Sequence, residues 1–333
     1  MENKILKKLL DEYSVNRFHA EQEAQEKKDS FYSLHPDLKK LEKQINQCSL
    51  HRVNLILMGK KEEADHLNDE IDQLKQKKQS MLKHLGISSD YFLPHYHCPI
   101  CQDTGYVKEN QQMVLCHCLQ QKIFDIEYNK SNMGNMENEN FSTFDDSWYS
   151  DKVDPSLNLS PRENIHIIKN IAEHFIENFQ DPNEKNLLFT GNIGLGKTFF
   201  CNCIAYELLK KGKTVLYQTS PVMLDSIIDY RFGKSNSSLS IIDNILNVDL
   251  LIIDDLGTES LNSLKLTELF TIINARLLNQ NNHITKTIIS TNLNLNNIFS
   301  IYNERIGSRI IGYYNICKFI GDDIRLQQGK IKK

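Results

Sequence analysis

The stretch 186–198, NLLFTGNIGLGKT, limits what this chain can fold into more than any other. Leu187, Leu188 and Phe189 form a short apolar run of the kind a buried strand provides. Gly191, Gly196, Lys197 and Thr198 follow at G-x-x-x-x-G-K-[ST] spacing, and a helical pattern, FFCNCIAYELLKK, begins directly behind them. Strand, glycine loop, helix is the context in which this spacing makes a phosphate site. Glycines let successive backbone N–H groups turn inward into an anion nest, and the new helix aims its positive dipole end at the same point. Gly191, Asn192, Ile193, Gly194, Leu195 and Gly196 are therefore expected to wrap the phosphates of a nucleotide. Lys197 would reach the β- and γ-phosphates, and Thr198 would offer its hydroxyl to Mg²⁺.

From 161 onward, helical and strand patterns alternate around that loop. A helix, ENIHIIKNIAEHFIENF, precedes the loop's strand; after it come a helix over 198–211, strand TVLYQT, a helix over 221–231 and a polar turn, GKSNSS. Helix LSIIDNILN, strand DLLIIDD, helix LKLTELFTIINARLLNQ, strand KTIISTN, helices around 294–311 and strand NICKFIG complete the series. Repeated alternation of this kind predicts an α/β domain over 161–333, a parallel sheet with helices on both faces.

Four further groups carry the chemistry. Leu250, Leu251, Ile252 and Ile253 read as a buried parallel strand, and Asp254 and Asp255 stand at its carboxyl end, where open α/β sheets bind ligands. Asp254 is placed to hold Mg²⁺ through water, and Asp255 to orient the attacking water. Asn292, at the end of TIISTN, could bond the γ-phosphate or that water. Arg305 and Arg309 in ERIGSRI lie one helical turn apart on one face; guanidinium groups stabilise charge on a transferring phosphoryl group, often from a neighbouring subunit, and a surface salt-bridging helix is the alternative. Arg325 in GDDIR could reach the nucleotide in its own chain. Together these specify hydrolysis of a nucleoside triphosphate.

The chain of 333 residues has room for more than this domain. Residues 1–90 are rich in Lys, Glu and Gln. Leu6, Leu9 and Leu10 recur at helical spacing, Pro36 favours a break near His35, and Leu38, Leu41, Ile45, Leu50 and Val53 resume the pattern. Gly59 marks a turn before a third helix with Leu67, Ile71, Leu74 and Leu82. Two or three helices forming a hairpin or coiled coil, with a narrow apolar seam for a partner, is the expectation. Residues 91–120 contain Cys98-x-x-Cys101 and Cys116-x-Cys118, two close thiolate pairs of the kind a closed tetrahedral Zn²⁺ site uses, with His95, His97 or His117 as an alternative ligand in place of one cysteine. Such a metal would be structural, since four protein ligands leave no open position. Residues 121–160 run from a short helix, LQQKIFDIEY, into an Asn/Ser/Asp-rich linker whose Phe141, Phe144 and Trp148 would dock on the next domain.

A net charge of −4 announces no global field for nucleic acid, so any such contact needs a local patch, with Lys211, Lys213 and Arg231 as candidates. No apolar run of 18 or more residues is present, and MENKILKKLLDEYS lacks the apolar core and cleavage site of a signal peptide. A cytoplasmic protein without a membrane partner is expected, and eight cysteines, four of them clustered, fit metal and thiols rather than disulfides.

The order GNIGLGKT, LLIIDDLGTE, TIISTN, ERIGSRI and GDDIR resembles the AAA+ ATPases of the DnaC/DnaI helicase-loader group, which shares its core with IstB-type transposition helper ATPases. CPICQDTGYV followed by CHC resembles the cysteine module that precedes the ATPase in DnaI-like loaders. The resemblance covers about residues 95–330. It implies an AAA+ P-loop fold with Lys197 and Thr198 as Walker A, Asp254 and Asp255 as Walker B, Asn292 as sensor 1, Arg309 as arginine finger and Arg325 as sensor 2. It also implies ATP, Mg²⁺ and Zn²⁺ as cofactors, and a hexameric replicative helicase, single-stranded DNA and further copies of the chain as partners. The function implied is ATP-dependent loading of that helicase, with an IstB-like transposase helper acting on duplex DNA as the alternative. The cysteine module speaks against the alternative, whose usual members lack it. Two departures matter: the second Walker B acid is Asp255 where many AAA+ proteins have Glu, and the sequence ends soon after Arg325, so no helical lid is expected. Both favour a slow switch over a fast motor.

Overall fold

A computed structural model of the chain describes residues 4–88, 90–109, 111–126, 138–155, 157–233, 241–278 and 284–331. The polar turn read at GKSNSS lies outside the described residues beyond Gly233, as do 127–137 of the expected linker and the last two residues of LLNQ. Two compact units are present, one over Lys8–Val114 and the other dominated by Leu115–Lys333.

The first unit is built on helices α1 (Lys4–Leu34), α2 (Pro36–Leu57) and α3 (Lys61–His84). Pro36 opens α2: its ring is tolerated at a first helical turn but disfavours helical backbone at His35, so the break falls there. Leu38, Leu41, Ile45 and Leu55 of α2 are buried, as are Ala64 and Ile71 of α3. Leu50 and Val53, expected in the same seam, are instead 66% and 51% exposed. Five residues past Ile45 is a rotation of about 140° around a helix, so Leu50 falls on the opposite side. Glu42 of α2 pairs with Lys78 of α3 and with Lys28 of α1.

The second unit holds an α/β domain built on a five-stranded sheet. Strands β1 (Tyr106–Glu109) and β2 (Gln112–Leu115) and helix α4 (His117–Phe124) belong to the cysteine module described below, and the strands of the second unit's sheet are β3 (Asn186–Thr190), β4 (Val215–Thr219), β5 (Leu250–Leu256), β6 (Lys286–Thr291) and β7 (Tyr314–Lys318). The sheet is parallel in the order β4-β5-β6-β3-β7. The first and last strands in sequence therefore lie side by side, and the carboxyl ends of β3, β6 and β5 line one edge. β3, β5 and β6 are buried nearly throughout because both faces of the sheet are covered, while the edge strand β7 mixes buried and exposed positions. One face packs on α5 (Pro161–Glu177) and α6 (Lys197–Lys210) through Phe175, Phe189, Phe200 and Ile252. The other meets α7 (Ser220–Arg231), α8 (Ile241–Asn247), α9 (Ser263–Leu278) and α10 (Leu295–Tyr313) through Leu188, Met223, Ile253, Ile273 and Ile306.

Local chemistry fixes the ends of these elements. Ser160 and Glu163 form a reciprocal capping box on α5, with Pro161 in its first turn. Asn294 caps α10 by accepting from Asn297 N, and α10 is broken at Asn303, where φ is 69°. Arg276 of α9 is buried and donates to the carbonyls of Ile245, Val248 and Lys286 and to Thr287 Oγ1, which ties α8, α9 and β6 together. Among the described residues, no helix is long and apolar enough to cross a membrane.

Candidate functional site: a nucleotide cavity and a four-cysteine centre

The loop after β3 turns at glycines because nothing larger fits. At Gly191 (φ 140°) a Cβ would lie 2.5 Å from the Phe319 carbonyl oxygen, and at Gly194 (φ 76°) it would lie 2.0 Å from Asp323 Oδ1. Without a Cβ the loop lies close against the segment after β7. Phe319 N donates to Thr190 O at 2.7 Å, and Ile324 N donates to Gly194 O at 3.0 Å. Asp323 also accepts from Arg325 N at 2.9 Å, which starts α11 (Ile324–Ile331) beside the loop.

Helix α6 begins at Lys197, directly behind Gly196. The Lys197 ammonium is buried, with Gly191 O at 2.7 Å, Asn192 O at 2.6 Å and Asn292 Oδ1 at 2.8 Å. Burial lowers its pKa, opposed by the charges of Asp255 and Asp254, with Arg325 adding to the lowering. Thr198 Oγ1 donates to Asp254 Oδ2 at 3.1 Å. Hydroxyl and carboxylate oxygens converging in this way are the hard donor set that Mg²⁺ prefers.

Asp254 and Asp255 do not simply continue β5. In the pairing with β6, Ile253 lies opposite Ile289 but Leu256 lies opposite Thr291, so β5 holds one extra residue. Asp255 takes the left-handed conformation there, at φ 53°. Bulges of this kind re-aim side chains beside functional sites. Asp255 lines the cavity while Asp254 is buried behind it. Burial and the neighbouring Asp254 raise the pKa of Asp255, with Lys197 and Arg325 opposing.

These groups line one cavity of about 500 Å³, together with Ile193, Gly194, Leu195, Gly196, Thr258 and Asn292. That size falls in the ordinary range for small-molecule sites. Arg325 is part of the lining. Arg305 and Arg309 are not. Arg309 stands over the Phe270 ring at 4.5 Å and donates to Asn274 Oδ1 at 2.8 Å and to Arg305 O at 3.1 Å. The structure thus brings together the loop, Asp255, Asn292 and Arg325, with Asp254 behind, and leaves the arginine pair of α10 outside.

Several residues here were not anticipated. Phe144, Trp148 and Tyr149 form an aromatic wall of the cavity, and Tyr149 Oη donates to Leu195 O at 3.0 Å. Phe141, Phe144 and Trp148 also pack on the core beneath, so a segment read as a docked linker lines the site as well. A cluster of aromatics shortly before the first helix of the domain was the available signal. Tyr217 Oη donates to Asp254 Oδ2 at 2.7 Å, and nothing in the pattern of β4 marks it. The proposed nucleic-acid candidates are engaged internally: Lys211 donates to Ile176 O at 3.0 Å, Lys213 lies 4.0 Å from Asp249, and Arg231 pairs with Glu268 at 3.0 Å.

The second site is local in sequence. Strands β1 (Tyr106–Glu109) and β2 (Gln112–Leu115) form a hairpin, and Cys116 caps α4 (His117–Phe124). The Asp103 carboxylate accepts from His97 N and Cys98 N at 2.9 Å each, which fixes the first knuckle. The sulfurs of Cys98, Cys101, Cys116 and Cys118 lie within 4.8 Å of one another, and the first three residues are buried. Tetrahedral zinc with Zn–S bonds of about 2.3 Å needs sulfurs roughly 3.8 Å apart, so small adjustments would suffice. The four cysteines make up that cluster, and His117 Nδ1 lies 3.5 Å from Cys116 Sγ.

The profile of the family described as "IstB-like ATP binding protein" matches residues 161–329. The replicative helicase loader DnaC of Escherichia coli (strain K12) is 28% identical over 139 residues, which is 42% of this chain and 55% of that protein. An ATP-binding protein of insertion sequence IS1162 from Pseudomonas fluorescens is 29% identical over 110 residues, 32% of this chain and 45% of the relative. The chain therefore spans about half the length of the curated relatives it matches. A crystal structure of the DnaC helicase loader aligns with a TM-score of 0.44 and 22% identity over 56% of this chain and 99% of that one. The matched span contains the glycine loop, the acidic strand, Asn292, both arginines of α10 and Arg325, and the chain belongs to the IstB-like ATP binding protein family.

Proposed function

We propose that this protein loads a replicative DNA helicase onto single-stranded DNA in the cytoplasm, with ATP binding and slow hydrolysis as the assembly switch. Residues 1–90 would bind the helicase, 91–120 would hold a structural zinc, 121–160 would link, and 161–333 would bind ATP and further copies of the chain. The observation that carries the reading is the division of the site: Lys197, Asp255, Asn292 and Arg325 share one cavity, while Arg309 is held outside it on Phe270 and Asn274.

The roles follow from that placement. The loop amides and Lys197 bind the phosphates, and the aromatic wall of Phe144, Trp148 and Tyr149 offers a flat face to the base. Magnesium held by Thr198 and Asp254 would neutralise charge on the β- and γ-phosphates. Asp255, with its raised pKa, accepts a hydrogen bond from the attacking water, and Asn292 orients the γ-phosphate or that water. Aspartate reaches less far than glutamate, which suits slow turnover. Arg309 would act on ATP bound by a neighbouring copy, so hydrolysis would need assembly. A second reading, an IstB-like helper acting on duplex DNA, is supported by the IS1162 relative.

Mixing two inactive variants tests the division. Arg309→Ala and Lys197→Ala proteins should each lack hydrolysis alone and regain part of it when combined on single-stranded DNA, because some interfaces pair an intact arginine with an intact loop. No recovery at any ratio, with both variants assembled, would remove the role in trans from Arg309.

A further inference from the structure

Tyr217 is the buried group that touches the site without belonging to the expected set. It stands in the middle of β4, 1% exposed, in the core that includes Ile252, Leu250 and Val215. Its register partner on β5 is Ile252. Alternate residues of a strand share a face, so Tyr217 and Asp254 point to the same side of the sheet, and the long ring spans the diagonal between them. The hydroxyl ends 2.7 Å from Asp254 Oδ2, the oxygen that also accepts from Thr198 Oγ1 at 3.1 Å. Asp254 Oδ1 accepts from Asp255 N at 3.0 Å. Packing alone would be served by phenylalanine. A hydroxyl at this depth is unfavourable unless it is bonded, and here it is bonded to the carboxylate that also accepts from Thr198.

We propose that Tyr217 is a positioning residue for the divalent cation: its hydroxyl holds the Asp254 carboxylate in the orientation in which Asp254 and Thr198 receive one Mg²⁺ together. This rests on the ATP-site reading above. The terminal torsion of an aspartate is broad, so a carboxylate at a strand end can rotate away from its neighbour. Bonds to both oxygens remove that freedom before the cation arrives, and the third donor, from β4, makes the orientation depend on sheet geometry rather than on the loop. Partners behind a metal ligand commonly carry about 10–100-fold in metal affinity.

The test is Tyr217→Phe in the full chain, read by equilibrium binding of a fluorescent ATP analogue in EDTA and across a Mg²⁺ titration, without reference to hydrolysis. Affinity in EDTA should stay within about twofold of the parent, while the Mg²⁺ concentration for half-maximal enhancement should rise about tenfold. In an Asp254→Asn background, Tyr217→Phe should add nothing to the Mg²⁺ dependence. 3-Fluorotyrosine at position 217, which keeps the hydroxyl, should behave as the parent. Superimposed Mg²⁺ curves for parent and Tyr217→Phe, or additive effects with Asp254→Asn, would overturn the assignment. An equal loss of binding with and without Mg²⁺ would make the hydroxyl a packing element and overturn it too. A parent protein that binds the analogue without any Mg²⁺ dependence, or not at all, would overturn the ATP-site reading itself, and this role with it.

Discussion

Lys197→Ala is expected to weaken ATP binding about 100-fold or more. Lys197 is 6% exposed and its ammonium is held by the Gly191 and Asn192 carbonyls and Asn292 Oδ1 on the wall of the cavity, so it would meet the phosphates with little water to screen it. Removing one partner of a buried charge pair costs about 3–5 kcal/mol, and each 1.4 kcal/mol is tenfold in affinity. Two acids, Asp254 and Asp255, would then remain beside the phosphates with one cation fewer to balance them. Titration with a fluorescent nucleotide measures the change. Parent-like affinity in the variant would move the phosphate site elsewhere.

Cys101→Ser is expected to release zinc and unfold the cysteine module. Purified without chelator, the parent should carry one zinc per chain by elemental analysis. A structural zinc contributes on the order of 10 kcal/mol to local folding, and the hairpin of four-residue strands has little apolar burial to replace it. The loss should appear as rapid amide exchange and proteolysis between residues 95 and 118, with nucleotide binding in the ATPase domain retained. A metal-free parent with a protected module would contradict the assignment.

The parts of this protein that were legible in its sequence are those in which neighbours in the chain are also neighbours in space. The glycine loop is strand, turn and helix start in one stretch, and the cysteine module closes within a segment from Cys98 to Cys118. Asp254, Asp255 and Asn292 were readable because strand ends gather at one edge of a parallel sheet. What stayed hidden depends on packing between distant segments. The extra residue that turns Asp255 into the cavity shows only in the pairing of β5 with β6. Tyr217 looks like any aromatic in a buried strand until Asp254 is seen in front of it. Leu50 and Val53 lie off the buried seam because steps of five and eight residues from Ile45 turn about 140° and 80° around the helix, which a list of recurring leucines does not show. Lys211, Lys213 and Arg231 were chosen by charge and position, and their contacts with Ile176 O, Asp249 and Glu268 on other elements show only in the fold.

Capture of the untagged protein from its own host, in the presence of ATP and single-stranded DNA, bears most directly on the loader function. A hexameric replicative helicase should come with the parent protein, and the Lys197→Ala variant should fail to transfer that helicase to the DNA. Recovery of a transposase with duplex DNA, and no helicase with or without ATP, would contradict the loader reading and leave the IstB-like one.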